Sequence, residues 1–249
     1  MNNSFVTYRI FEQFGNVMAF TTIRNSIDGV KAPRFTENQG IPAKENRRFL
    51  SKVLGIKPEQ LIFPRQTHTS CVAEIFGYPE EELQETDALV TNQKGLCLCV
   101  QTADCVPVLL FDSKKMAVAA IHAGWRGTVK QIVGKAVVKM ADLFQSSPAD
   151  ICAVIGPSIG PEVYEVGDEV GEAVRESVPN SEKTLYKNSS GKFHLNLWEA
   201  NRQILLAGGV YSENIEILQE CTFQNPAKYF SARREGIDTG RLVSGIMLM

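Results

Sequence analysis

Three short segments interrupt apolar runs with reactive side chains. FPRQTHTSCV carries Arg65, Gln66 and His68; QTADCVPVLLFD carries Asp104 and Cys105; IHAGWRGT carries His122, Trp125 and Arg126. The chain has only three histidines, the third being His194. Two imidazoles and a thiolate form a soft donor set suited to zinc or copper. With three protein ligands, zinc keeps a fourth position open, the arrangement of a catalytic rather than a structural site. His68, Cys105 and His122 stand 37 and 17 positions apart, so only folding can bring them together. The competing reading is a hydrogen-bonded core histidine beside an inert buried cysteine. A metal-free chemistry is also open, with Cys105 as a nucleophile activated by His122 and oriented through Asp104 or Gln66. That reading leaves His68 without a task.

The glycines of HAGWRGT suit a tight turn and close approach to a ligand, and a helix expected from about Thr128 would aim its free N–H groups back toward His122. Such a terminus favours an anion, and Arg24, Arg65 and Arg126 could supply full charges for a phosphate, against the ordinary reading of each as a surface arginine. Neither GxxxxGK[ST] nor a strand followed by GxGxxG occurs, which leaves nucleotide triphosphate and dinucleotide sites unsupported. Cys97 and Cys99 share one strand face and read as packing residues, and His194 as structural or surface. Asp104 is the candidate for proton transfer, or else a turn cap or a hydrogen-bond partner of a ligand histidine.

The elements that position these groups follow from periodicity. DALVTNQ, GLCLCVQTADCVPVLLFD, MAVAAIH and ICAVIGP are short, nearly continuous apolar runs split by turn residues, as expected of strands covered on both faces. Val129, Ile132, Val133, Ala136, Val137, Met140 and Phe144 recur at the spacing of one buried helical face. Further helices are predicted over about 44–54, 168–178 and 197–208, with a loop over 32–46 and a last strand at RLVSGIML. Strands and helices in this order predict an α/β or α+β fold.

Composition sets the outer limits. The 249 residues hold no repeat or long linker, so a single domain over 1–249 is expected. A net charge of −2 gives no pull toward nucleic acid or anionic membrane, and basic and aromatic residues are not interleaved on any stretch. No run approaches the roughly 20 apolar residues of a membrane span. The start MNNSFVTYRIFEQF lacks a secretory layout, which predicts a cytoplasmic protein with its six cysteines reduced.

Taken together, QTH, TADCVPVLLFD and HAGWRGT resemble the signature of the YfiH, or laccase-domain, family of multicopper polyphenol oxidases. AFTTIR, GPSIGPEVYEVGDEV and CTF…FSARREGIDTGR extend the resemblance through nearly the whole chain. The resemblance implies an α+β fold of mixed β-sheets packed together and flanked by helices, in one catalytic domain. It implies that His68, Cys105 and His122 are metal ligands, for zinc with copper as the alternative. It further implies a purine nucleoside phosphorylase that cleaves adenosine, inosine or methylthioadenosine with phosphate, with adenosine deaminase activity beside it. A polyphenol oxidase and a cysteine hydrolase in peptidoglycan precursor editing are the alternatives. The expected partners are a small nucleoside and phosphate, with no nucleic acid or membrane, on a monomer or weak homodimer. The chain departs from the family after Arg24, where NSIDGV replaces a glycine-rich loop and the following loop is shortened.

Overall fold

A computed structural model describes residues 5–26, 31–36 and 43–249. The NSIDGV departure and the 32–46 loop fall partly on 27–30 and 37–42, outside the described residues.

From the N-terminus come β1 (Phe5–Val6), α1 (Arg9–Glu12), β2 (Val17–Thr22), α2 (Ala43–Leu54), β3 (Leu61–Ile62) and β4 (Val72–Glu74). Four strands follow: β5 (Ala88–Thr91), β6 (Cys97–Thr102), β7 (Val106–Asp112) and β8 (Ala117–Ala123). Next are α3 (Trp125–Val129), α4 (Ile132–Phe144), β9 (Ile151–Ile155), β10 (Glu165–Val166) and α5 (Asp168–Ser177). The chain closes with β11 (Leu185–Lys187), β12 (Phe193–Leu195), α6 (Leu197–Ala207), β13 (Ile215–Ile217), α7 (Ala232–Glu235) and β14 (Leu242–Leu248).

Two mixed sheets, ordered β1-β2-β14-β6-β3 and β13-β9-β7-β8-β5-β4, pack face to face, and β10-β12-β11 forms a small third sheet. Period-two alternation assigns each side chain to a layer. On β8, Val118 and Ala120 face the other large sheet, while Ala117, Ala119 and Ile121 face Ile132, Val133, Ala136 and Met140 of α4. On β6, Leu98 and Val100 fill the gap between sheets, and Cys97 and Cys99 pack on the opposite face with Leu50 of α2. The order is therefore helix, sheet, sheet, helices, as the α+β expectation required. Strands sandwiched in this way are apolar on both faces, which is why the runs at 97–112 and 117–123 show so little polar alternation.

The segment predicted as one helix from Val129 is instead two, α3 and α4, separated by Gln131 at φ 56°. Gln131 N–H donates to the Thr128 carbonyl at 2.8 Å, and its side-chain amide donates to the Ser177 carbonyl at 2.6 Å. These contacts hold the break. The remaining predicted helices lie within two residues of their observed ends. No helix among the described residues is long and apolar enough to cross a membrane.

Candidate metal centre and arginine-lined cavity

His122 is the last position of β8 on the face between the sheets, level with Pro107 of β7. Cys105 ends the three-residue turn that joins β6 to β7, and His68 sits in the loop between β3 and β4. These connections converge at one end of the two packed sheets. The ligand atoms of His68, Cys105 and His122 all lie within 4.8 Å of one another. Cys105 Sγ is 3.8 Å from His68 Nε2, and the two imidazole rings meet edge to face with centroids 4.9 Å apart.

Two local devices bring the groups so close. His68 (φ 62°) and Asp104 (φ 89°) both adopt the left-handed region, which non-glycine residues reach only when their surroundings over-determine it. Gly124 supplies room: a Cβ there would stand 2.8 Å from Cys105 Sγ and 3.1 Å from His68 Cδ2.

Asp87 is the residue that sequence reasoning missed. Fully buried, it accepts from His122 Nδ1 at 2.7 Å and from the backbone N–H groups of Thr67, His68 and Thr69 at 3.1, 3.1 and 2.8 Å. One carboxylate therefore orients the His122 imidazole, leaving its Nε2 for the centre, and holds the backbone of the loop that carries His68. Burial alone would raise its pKa, but the hydrogen bond and charge of His122, with the Thr69 donors, outweigh it and bring Asp87 down to about 2. In the metal-free protein, burial opposes charge on Cys105 and His122 too, yet each stabilises the other's ionised form. The thiol falls to about 6 and, with Asp87 helping, the imidazole rises to about 9.

The donor set fits a tetrahedral metal ion. Zinc's bonds of about 2.0–2.3 Å place neighbouring ligand atoms about 3.3–3.8 Å apart, and the third histidine is not involved. His194 instead bonds the Pro161 carbonyl through Nδ1 at 2.8 Å and stacks with Tyr186.

The centre opens into a cavity of about 630 Å³ whose walls include Arg34, Arg65, Arg233, Arg241, Gln101 and Tyr164. Of the arginines singled out from the sequence, only Arg65 lines it, with Nη1 2.8 Å from Gln84 Oε1. Arg24 lies over the Phe230 ring, ion-paired with Glu235, and exposed Arg126 stacks on Trp125 with its Cζ 4.4 Å from the ring centre. Gln66 does not orient Cys105: its amide pairs with the main chain of Gln101, accepting at 2.7 Å and donating at 2.8 Å. Asp104 lines the cavity, but its carboxylate is engaged by Thr222 Oγ1 (2.7 Å), Ser231 Oγ (3.0 Å) and Arg233 N–H (2.7 Å). It ties α7 to the turn that carries Cys105.

The chain matches the family described as multi-copper polyphenol oxidoreductase laccase over residues 36–249. It is 38% identical to a purine nucleoside phosphorylase of Bacteroides thetaiotaomicron, across 97% of this chain and 95% of that one. It is 39% identical to adenosine deaminase RL5 from an unknown prokaryotic organism, across 92% and 93% of the two chains. Among solved structures, the Bacillus licheniformis hypothetical protein YfiH superposes with a TM-score of 0.90 at 30% identity, over 100% of this chain and 97% of that one.

Proposed function

The chain belongs to the multi-copper polyphenol oxidoreductase laccase family, and from that premise we propose that it is a zinc-dependent purine nucleoside phosphorylase acting on adenosine, inosine or methylthioadenosine. The observation that carries the reading is the meeting of His68, Cys105 and His122 at the edge of an arginine-lined cavity. In the reaction, a phosphate oxygen bonds to C1′ of the nucleoside as the C1′–N9 bond breaks. The electron pair leaves with the base, which takes up a proton, and the products are the purine and a pentose 1-phosphate. Positive charge develops on the sugar, so an anion fixed beside C1′ provides both proximity and charge stabilisation. His68, Cys105 and His122 would hold the metal, with Asp87 fixing the His122 ring and the His68 backbone. When bound, the ion supplies Lewis acidity at its open position. The cavity wall binds and orients the rest of the substrate.

Hydrolytic deamination of adenosine is the second reading, supported by the likeness to adenosine deaminase RL5. There, the oxygen of water bonds to C6 and the amino group leaves as ammonia. Copper is the alternative occupant, because two histidines and a cysteine also suit a single copper ion. A multicopper oxidase centre needs many imidazoles, and His194 is committed elsewhere.

Metal-replete protein incubated with inosine or adenosine, with and without phosphate, tests the reading by chromatography of products. Release of base together with ribose 1-phosphate only when phosphate is present supports it. An intact nucleoside, or cleavage indifferent to phosphate, removes it. Activity that survives chelation but is lost on thiol alkylation would instead assign Cys105 as a nucleophile.

A further inference from the structure

Resting on the phosphorylase reading, we propose that Arg34 and Arg241 form the phosphate subsite, two guanidinium groups clamping the oxygens of one inorganic phosphate. Arg241 N–H donates to the Pro33 carbonyl at 2.9 Å, which sets the two arginine-bearing segments side by side. The first segment is pinned from α2: Asn46 donates to the Arg34 carbonyl at 2.7 Å and Arg47 Nε to the Phe35 carbonyl at 2.6 Å. Phe35 N–H reaches Gln101 Oε1 at 2.9 Å, and the Phe35 ring stacks on Phe63. Both side chains then converge, Arg34 Nη2 at 2.8 Å and Arg241 Nη2 at 2.9 Å from the same Ile237 carbonyl.

Arg241 Nη1 also meets the Thr239 and Gly240 carbonyls, but neutral oxygens alone do not offset two guanidinium charges brought side by side. Among the described residues, neither has a carboxylate within ion-pair distance, and Arg34 Nε is buried with no partner. Burial and the neighbouring Arg34 charge pull the Arg241 guanidinium down to about 10 against the weaker opposing pull of Cys105, Asp104 and Asp238, and an anion between the two arginines would add to that opposing pull. The cavity's other arginines are occupied differently. Arg233 lies over Tyr164 and donates to the Glu165 carbonyl, while Arg65 meets Gln84 and Glu82. Paired planar forks match a tetrahedral oxyanion better than scattered point charges do.

The test titrates metal-loaded protein with inorganic phosphate by calorimetry and measures KM for phosphate and for inosine separately. Arg34→Gln and Arg241→Lys are expected to weaken phosphate binding and raise its KM about tenfold or more, with KM for inosine little changed and Arg126→Gln without effect. Because Arg241 also braces the Thr239 and Gly240 carbonyls, Arg34→Gln serves as the variant that leaves that bracing intact. Unchanged phosphate affinity in folded Arg34→Gln overturns the subsite, as does phosphate binding lost only on metal removal. Adenosine 5′-monophosphate distinguishes the sources of a phosphoryl group: its exclusion by saturating phosphate supports the assignment, and simultaneous binding overturns it. Wild-type protein that binds phosphate through these arginines yet cleaves no nucleoside would retain the subsite and refute the reaction.

Discussion

Replacing Asp87 with asparagine changes one atom and tests how the centre is built. Oδ1 accepts from His68 N–H and His122 Nδ1, and Oδ2 from Thr67 N–H, Thr69 N–H and Thr69 Oγ1. Whichever way the new amide turns, its NH₂ faces at least two N–H donors. An unpaired buried donor costs about 1–3 kcal/mol, so two set a range of about 2–6 kcal/mol. A second route gives a comparable figure. The Asp87 carboxyl is held at about 2 against an ordinary 3.8, and each unit is worth about 1.4 kcal/mol, which makes roughly 2 kcal/mol. Since the folded-state pKa is the lower one, this contribution is complete above about pH 4 and disappears as pH falls toward 2. We therefore expect Asp87→Asn to lose about 2–4 kcal/mol in urea unfolding of metal-free protein at pH 7, and zinc affinity to fall about 10- to 100-fold in competition with a chromophoric chelator. A stability loss under about 0.5 kcal/mol together with unchanged zinc affinity refutes the idea that one carboxylate organises the His122 ring and the loop that carries His68.

Further expectations follow from neighbouring geometry. Gly124→Ala places a methyl 2.8 Å from Cys105 Sγ, and equilibrium dialysis should show zinc binding weakened at least about tenfold while circular dichroism stays near wild type. In metal-free protein, iodoacetamide modification of Cys105 should reach half its maximal rate near pH 6 rather than near the ordinary thiol value of about 8.5, and His122→Ala should move that midpoint upward. Asp104→Asn weakens the tie between α7 and the Cys105 turn, so thermal unfolding should shift down by several degrees, on the order of 1–2 kcal/mol. If Asp104 acts as a positioning residue rather than a proton carrier, the pH profile of residual turnover keeps its shape.

Much of the scaffold was legible because burial on both faces leaves a plain mark on composition. The runs at β6, β7, β8 and β9 are apolar for the same reason that they lie between layers. The break at Gln131 left no such mark, since the Ser177 carbonyl that holds its side chain is 46 residues away. The same limit applied to the site. Histidine and cysteine are scarce enough in this chain to draw attention, whereas an aspartate at the mouth of a strand is not, and Asp87 owes its importance to three N–H groups in another loop. Arginines were least legible. Arg24 stood out near the start of the chain, but Glu235 pairs with it from the far end, while Arg34 and Arg241, 207 positions apart, meet in the cavity.

The scaffold around Asp87 has a consequence for loading. Hydrogen bonds internal to the polypeptide already hold the His122 ring and the His68 backbone, so most of the nest is built during folding and a metal ion would be a late guest. A nest of two nitrogens and one sulfur discriminates poorly between late first-row divalent ions, and copper outcompetes zinc at equal supply. Occupancy then follows whichever ion the surroundings make available when the newly folded chain first meets it. Preparations of one polypeptide grown in different media are expected to carry different metals, and with them different side reactions.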